Sequence, residues 1–315
     1  LPVRCNSPEN TCVNLSINQR LRLLIPTLLG LVLLSGGLTL LQVVHRIARA
    51  TPVLVVEQPQ SVTVVAANGE LLRPFTAAGG YWRIPVKPDE VDPRLVTFLL
   101  AYEDQRFFEH DGVDRWAMLR AAWQLLTNGR VISGGSTLSM QVARLLSDDT
   151  TRTMTGKIRQ IVQARRLETR LSKQEILTLY LNHAPYGGNL EGVRAASWAY
   201  FGKEPGWLNL AEIALLIALP QAPEARRPDR FAQAARMARG RVLQRLAANG
   251  LISVEDAERA SAAAIPDRRK PFPMLAPHLA EELQSADDAG QIIQTSIDFE
   301  LQASLEKHLT QRSAS

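Results

Sequence analysis

Glu103 has the side-chain type and the sequence environment for acid–base chemistry. The surrounding residues predict a helix that carries Leu99, Glu103, Phe107 and His110 on one face. A carboxylate among apolar neighbours near a helix C-terminus is disfavoured in its ionised form by desolvation and by the helix dipole. Such an environment suits a general acid or base that works near neutrality. The simpler alternative is a structural carboxylate paired with an arginine such as Arg106.

Two neighbouring polar residues, Asp104 and His110, have more ordinary interpretations. On a helix, Asp104 points about a quarter turn away from Glu103, so we expect it to be solvated or to cap the following loop. We expect His110 to hold the turn into Gly112 by a hydrogen bond, because no second His or Cys stands at the spacing of metal ligands. The sequence therefore predicts no metal site built from protein side chains here.

A second polar segment, residues 133–146, contains Gly134-Gly135 just before a predicted helix. The N-cap of that helix is expected to be Ser136 or Thr137, and its free N–H groups favour an anion. An ordinary helix start explains the same pattern, and the spacing of a Walker phosphate-binding loop is missing. One and two turns further along the helix stand Gln141 and Arg144.

A third segment, residues 156–177, is rich in lysine and arginine. Lys157 and Gln160 share a face of its predicted helix, while Arg159 and other arginines spread around it. Such a charge run usually marks a solvated helix face. A cationic cluster that binds a diphosphate is the more specific interpretation.

Five motifs in this order resemble the glycosyltransferase domain of class A penicillin-binding proteins, which is glycosyltransferase family 51. They run from Glu103 to Gly112, from Gly134 to Gln141, from Lys157 into Ser172-Lys173, from Tyr180 to Gly187 and from Ala211 to Pro223. Three short stretches are closest to the 1C branch of this family: Met140-Gln141, Ala184-Pro185 and Gln221-Ala222-Pro223.

The resemblance implies a mainly helical, lysozyme-like domain that polymerises lipid II, a disaccharide-pentapeptide on undecaprenyl diphosphate. It implies that Glu103 deprotonates the acceptor's 4-hydroxyl as that oxygen attacks the donor's anomeric carbon, with inversion. Lys157, Arg159 and a bound Mg²⁺ or Mn²⁺, held mainly through the substrate's diphosphate, would stabilise the leaving group. The other expected substrate contacts are Asp104, His110, Ser136, Thr137, Gln141, Arg144, Asn182 and Tyr186.

The chain departs from the family pattern at two positions. Gln160 stands where the family usually has its second glutamate, and Gly156 stands where many relatives have a basic residue. An amide cannot transfer a proton, so we expect Gln160 to support catalysis through hydrogen bonds. We also expect Gln160→Glu to keep or raise the rate.

An uncharged, leucine-rich run over residues 23–44 has the length of a transmembrane helix. A buried core helix and a signal peptide ending near Ala48-Arg49-Ala50 are the alternatives. Arginines flank the run on both sides, so charge does not fix its orientation. The resemblance implies a single-pass protein of the bacterial inner membrane with its catalytic domain on the periplasmic or outer face. Both cysteines lie in the tail before this run, at residues 1–22.

After this run, residues 51–92 are expected to form a hairpin, with its turn at Asn68-Gly69, and a linker. Residues 93–264 are expected to be helical and to form the glycosyltransferase domain, with two helices joined by a left-handed cap at Asn249-Gly250. Residues 265–315 are expected to be a linker and the stub of a missing transpeptidase domain.

The 315-residue chain has a net charge of +5, which suits an anionic partner such as nucleic acid, a phospholipid surface or a phosphorylated substrate. Composition does not choose among these. The resemblance implies that the partners are lipid II, the growing glycan strand, the membrane and other cell-wall synthesis proteins, and that nucleic acid is not a partner. One alternative is a lysozyme-like hydrolase or lytic transglycosylase, which needs no cationic diphosphate site. The other is a non-catalytic scaffold that binds lipid II or cell-wall proteins, which Gln160 keeps open.

Overall fold

The computed structural model of the chain describes residues 17–129, 135–147, 153–284 and 291–313. The chain divides into two units, Leu1–Thr51 and Pro52–Ser315. Cys5 and Cys12 of the N-terminal tail lie outside the described residues, as does Gly134 of the predicted glycine loop.

The described residues of the first unit form one helix, α1 (Ile17–Ala50). This helix contains residues 23–44, which the sequence predicts to span a membrane. Within the described ranges, however, no helix is both long enough and apolar enough to cross a bilayer. The predicted transmembrane anchor is therefore not confirmed.

The second unit is mainly helical, as the sequence predicts. Its helices are α2 (Pro93–Glu103), α3 (Arg115–Asn128), α4 (Leu138–Leu145), α5 (Met154–Glu168), α6 (Lys173–His183), α7 (Val193–Phe201), α8 (Leu210–Ala218), α9 (Ala232–Ala248), α10 (Val254–Ala262), α11 (Pro277–Leu283) and α12 (Phe299–Ser313). Helix α8 is apolar apart from Glu212 in its first turn and is buried along most of its length, with Ile213, Leu216 and Ile217 almost fully enclosed. A helix with this composition belongs in the core, and α2, α7 and α9 pack around it.

Six short strands form two sheets. They are β1 (Thr63–Val65), β2 (Leu71–Pro74), β3 (Trp82–Arg83), β4 (Pro185–Gly187), β5 (Leu190–Glu191) and β6 (Ile292–Gln294). The first sheet has the order β2-β1-β6, and the second has the order β3-β5-β4. β1 and β2 form the predicted antiparallel hairpin, in which Gly69 has a φ of +83°. Strands β4 and β5 were not predicted, and they interrupt the stretch that the sequence pattern assigns wholly to helices.

The end of α2 differs from the sequence prediction of a helix that continues through His110. Helix α2 ends at Glu103, because Asp104 leaves the helical conformation with a φ of −156°. The Asp104 carboxylate accepts a hydrogen bond from the backbone N–H of Leu138. The chain then forms a separate 3-10 turn at Phe107–Glu109. Glu103 therefore lies at a true helix end instead of on one face of a longer helix.

The segment after α10 packs back onto the helical domain. The backbone N–H of Lys270 donates to the carbonyl of Ala199 at 2.7 Å. The ring of Phe272 stacks on Trp82 with 4.3 Å between ring centroids. β6 then adds to the hairpin as a third strand, parallel to β1. The predicted pair of helices before this segment is also present, with Gly250 between them at a φ of +71°.

Candidate active site

A cleft of about 460 Å³ opens beside the C-terminal end of α2. Its lining is mostly polar and comes from α2 and the turn after it, α3, the start of α4, the turn after α8 and the last part of α9. Its polar residues include Glu103, Asp104, Ser136, Gln141, Gln221 and Arg245. Five of the predicted site residues thus come together at one surface, at the end of α2 and the start of α4: Glu103, Asp104, Ser136, Thr137 and Gln141.

Both oxygens of the Glu103 carboxylate accept hydrogen bonds from glutamine amides. Nε2 of Gln141 donates to Oε2 at 2.8 Å, and Nε2 of Gln221 donates to Oε1 at 2.7 Å. The alternative of a pair with Arg106 is wrong, because Arg106 forms a bidentate ion pair with Asp114. Glu103 is therefore held by neutral donors while it faces the cleft.

Asp104 and His110 form a buried polar pair behind the cleft. Nε2 of His110 lies 3.0 Å from the Asp104 carboxylate, whose side chain is only 3% exposed. The expectation that Asp104 is solvated or caps the following loop is wrong, since it also accepts from Leu138 at the start of α4. His110 takes the expected role at the turn, and its carbonyl accepts a hydrogen bond from Lys173. Together the pair joins the end of α2 to α4.

Gly112 follows this turn and lies against the backbone of α5. Its φ is +84°, and a Cβ atom at this position would stand 2.8 Å from the carbonyl oxygen of Ala164. Its own carbonyl accepts a hydrogen bond from the hydroxyl of Thr137 at 2.7 Å. The first two motifs are thus fastened to each other and to α5 through one glycine.

Helix α4 begins at the cleft with Thr137 as its N-cap. The Thr137 hydroxyl accepts from the backbone N–H of Met140 at 3.1 Å, so Thr137 and not Ser136 caps the helix. The hydroxyl oxygen of Ser136 instead accepts from Nζ of Lys157 at 2.7 Å. One turn along α4, Gln141 reaches Glu103, whereas Arg144 is exposed.

Lys157 and Gln160 interact on the face of α5 that meets α4. Nζ of Lys157 donates to Oε1 of Gln160 at 3.0 Å, and Nε2 of Gln160 donates to the Met140 carbonyl at 2.6 Å. Burial lowers the pKa of Lys157, and the charge of Arg144 lowers it further. The amide of Gln160 therefore supplies an acceptor to the lysine and a donor to α4, and a carboxylate has no donor for the second contact.

The family is decided by comparison with known proteins. A profile of the transglycosylase family matches residues 68–247, which contain the cleft and all five motifs. The chain belongs to the transglycosylase family. Penicillin-binding protein 1C of Escherichia coli strain K12 is 49% identical over 244 residues, which cover 78% of this chain and 31% of that relative. Its match confirms the predicted likeness to class A penicillin-binding proteins and their 1C branch.

Other relatives give the same picture. Penicillin-binding protein 1A of the same organism is 35% identical over 250 residues, covering 76% of this chain and 29% of that relative. The crystal structure of penicillin-binding protein 1A from Haemophilus influenzae covers 80% of this chain and 29% of its own, at 23% identity. Its TM-score of 0.40 is too low to support a comparison of folds. The chain spans about a third of the length of the curated relatives it matches.

Two predicted site residues, Asn182 and Tyr186, lie inside the protein. The Asn182 side chain accepts from the backbone N–H of Val86 and donates to its carbonyl, both at 2.8 Å. Burial raises the pKa of Tyr186 well above its ordinary range. These side chains therefore support the domain from within and do not line the cleft. The cleft lining also lacks five other predicted site residues: His110, Arg144, Lys157, Arg159 and Gln160.

Several polar residues of the cleft lining were not predicted as site residues, among them Gln221 and three arginines. Gln221 lies in the fifth motif, but nothing in its spacing connects it with Glu103. Arg106 and Arg120 line the cleft, and the guanidinium of Arg245 lies 5.0 Å from the centre of the Tyr102 ring. Arg106 is paired with Asp114, so Arg120 and Arg245 are the lining arginines placed to attract an anionic group, in a lining with equal numbers of arginines and carboxylates.

Proposed function

We propose that this chain is a peptidoglycan glycosyltransferase that polymerises lipid II into glycan strands and releases undecaprenyl diphosphate. The observation that carries this proposal is the state of Glu103, which faces a polar cleft with both oxygens bonded to neutral amides. In the part of the chain that the structure describes, no ion pair reaches this carboxylate. It is therefore able to accept a proton from a substrate that enters the cleft.

In the proposed reaction, Glu103 removes the proton from the 4-hydroxyl of the acceptor sugar. The resulting oxygen attacks the donor's anomeric carbon from the side opposite the diphosphate. The bond between this carbon and the phosphate oxygen breaks, and its electron pair leaves with undecaprenyl diphosphate. The displacement inverts the anomeric configuration. The two amide donors hold the carboxylate in one orientation, which is what a positioned base requires.

The charge of the departing diphosphate requires nearby cations and donors. Lys157 does not line the cleft but donates a hydrogen bond to Ser136, which does. The hydroxyl proton of Ser136 is therefore available to a phosphate oxygen. Gln160 holds Lys157 in place and carries no proton in this scheme. We assign Arg159 and Arg144, on α5 and α4, as further cations on the path of the diphosphate.

We further propose that Mg²⁺ or Mn²⁺ assists by neutralising the diphosphate, which supplies most of its ligands. The carboxylates near the cleft could not form a complete coordination shell for such an ion, because most of them are already paired. Asp104 is engaged with His110, and Asp114 is engaged with Arg106. In the ranges that the structure covers, no group of three His, Cys, Asp or Glu residues is arranged to hold an ion. Glu103 is the carboxylate left to face the substrate.

The exposed face of α3 supports a location at a lipid surface. Trp116, Leu119, Trp123 and Leu126 form one stripe along this helix, and each is more than 60% exposed. An amphipathic helix with such a face and basic residues is typical of membrane interfaces. We propose that the chain belongs to the inner membrane, anchored by one span, with its lysozyme-like catalytic domain on the periplasmic or outer face. Its partners there are lipid II, the growing strand and other cell-wall synthesis proteins.

The proposal is tested by incubating the purified chain, in detergent, with lipid II and Mg²⁺ or Mn²⁺, and then sizing the product. We expect glycan polymer that a muramidase digests. Lipid II binding without polymer, at every metal concentration, would show a scaffold. Degradation of finished glycan with no use of lipid II would show a hydrolase or lytic enzyme.

A further inference from the structure

A chain of hydrogen bonds runs from Arg226 to Glu103. Nη1 of Arg226 donates to Oε1 of Gln221 at 3.1 Å, and Nε2 of Gln221 donates to Oε1 of Glu103 at 2.7 Å. The three residues come from the end of α2, from the 3-10 turn that follows α8 (Leu219–Gln221), and from the segment before α9. Arg226 does not itself line the cleft, and it reaches Glu103 only through the lining residue Gln221.

The chemistry of the three side chains fixes the direction of this chain. A guanidinium only donates hydrogen bonds and a carboxylate only accepts them. An amide has one end of each kind, so Arg226 must face the carbonyl end of Gln221 and Glu103 must face its NH₂ end. If the amide were reversed, its NH₂ group would face the guanidinium, which is also a donor. Its carbonyl would then face the carboxylate, which is also an acceptor.

Arg226 is held in place independently of Gln221. Its Nη1 also donates to the carbonyl of Ala218 at 2.6 Å, at the C-terminal end of α8. The last carbonyls of a helix lack partners within the helix and carry the negative end of its dipole, so they bind a cation well. The buried helix α8 thus provides a rigid base for the guanidinium, and the guanidinium in turn orients the amide.

We propose that Arg226 is a positioning residue that acts through Gln221 to keep the Glu103 carboxylate directed into the cleft. This inference rests on the proposed role of Glu103 as the base. A guanidinium bonded directly to Glu103 would compete with the substrate for the carboxylate. The amide transmits the orientation and leaves the base in contact with a neutral donor only.

The effect on pH dependence must be separated from other charges near Glu103. Tyr180 on α6 interacts electrostatically with Glu103, and Arg241 on α9 does so with Arg226. The remaining charged or titratable groups of the cleft are Tyr102, Asp104, Arg106, Asp114, Arg120 and Arg245. None of these changes in the variants below, so an altered pH profile reports on the chain of hydrogen bonds.

The test compares Arg226→Met, Gln221→Met and the double variant with wild type in the lipid II assay. We expect each single variant to lower kcat roughly tenfold, the worth of one hydrogen bond to a charged group, with little change in KM. The acid limb of the pH profile should move to higher pH in both, because Gln221→Met removes the amide donor and Arg226→Met leaves that donor without its fixed orientation. The double variant should lose no more than Gln221→Met alone. Arg230→Met, on an exposed neighbour, is the control.

Two further variants sharpen this test. Arg226→Lys keeps a donor and should recover part of the rate. Gln221→Glu places a second carboxylate beside Glu103, so one proton is shared and the acid limb should move furthest. Multiplicative losses in the double variant, or an unmoved acid limb in both single variants, would overturn the inference.

The inference can be separated from the proposed function. An inactive wild type would contradict the proposed function but not by itself the role of Arg226. In that case crystal structures of the intact chain give the answer. The Gln221 amide should turn away from Glu103 in Arg226→Met and keep its contact in Arg230→Met. An unchanged contact between Gln221 and Glu103 in Arg226→Met would refute the positioning role.

Discussion

The ammonium group of Lys157 lies 2.7 Å from the hydroxyl oxygen of Ser136, and this contact joins the second and third motifs of the chain. The same ammonium group donates to Gln160, so its position is set from two sides. Burial lowers its pKa below the ordinary value of 10.5, with a further contribution from Arg144. Lys157 is therefore a positioned cation whose charge depends on pH.

Lys157→Met should reduce the rate of polymerisation by about 10²–10³, the usual loss when one group that stabilises a developing anion is removed. In wild type, activity should fall on the alkaline side before pH 10.5, because a lowered pKa means that the ammonium loses its proton earlier. Lys157→Arg should retain measurable activity and lack this alkaline fall, since arginine does not titrate there. Rate measurements across the pH range test both points. An alkaline fall that persists in Lys157→Arg would assign it to another group.

Glu103→Gln should abolish polymerisation while the fold stays intact. The substituted amide cannot accept a proton, and its NH₂ end must face either Gln141 or Gln221, which are both donors here. Lipid II turnover and circular dichroism measure the two effects. Glu109→Gln, a change at an exposed acid in the following turn, should leave turnover near the wild-type value. Full activity in Glu103→Gln would remove the proposed mechanism.

Gln160→Glu should keep or raise the rate, because one carboxylate oxygen still reaches Lys157. Its other oxygen would face the Met140 carbonyl, where the amide now donates at 2.6 Å. We therefore expect the free energy of unfolding to fall by about 1–3 kcal/mol. Gln163→Glu is the matched control: it also buries a carboxylate on the same helix, but at a position without the contact to Lys157. A collapse of activity in Gln160→Glu alone would show a site built around the amide.

Gly112→Ala should destabilise the domain more than Gly69→Ala. Both glycines have nearly the same φ, +84° and +83°, so both substitutions carry the left-handed penalty of about 1–2 kcal/mol. A Cβ at residue 112 would also meet the Ala164 carbonyl at 2.8 Å, whereas residue 69 has open space around it. Denaturant unfolding of the two variants isolates the packing contribution. Equal losses would show that the contact with α5 relaxes freely.

The sequence was sufficient to predict the mainly helical domain, its hairpin and the motifs that contain Glu103, Gln141 and Lys157. Helical periodicity and turn residues are local signals, which explains this success. The end of α2 at Glu103 was not predictable in the same way, because it depends on Asp104 bonding to Leu138 in another helix.

The largest omission was the contact between Glu103 and Gln221, which are 118 positions apart. No residue pattern in one sequence connects positions so distant, since only the packing of α2 against α8 brings them together. The short strands β4 and β5 were missed for a related reason. Two- and three-residue strands exist through pairing with each other and with β3, and they leave no periodic pattern.

The pairing of β6 with β1 has a practical consequence for any shortened form of the protein. A fragment ending at Ala264 keeps every residue that the transglycosylase profile matches, yet it loses the third strand and the ring that covers Trp82. The newly unpaired edge of β1 would be a template for strand addition from other molecules. Such a fragment should aggregate, so expression boundaries for enzymology belong beyond Ser313.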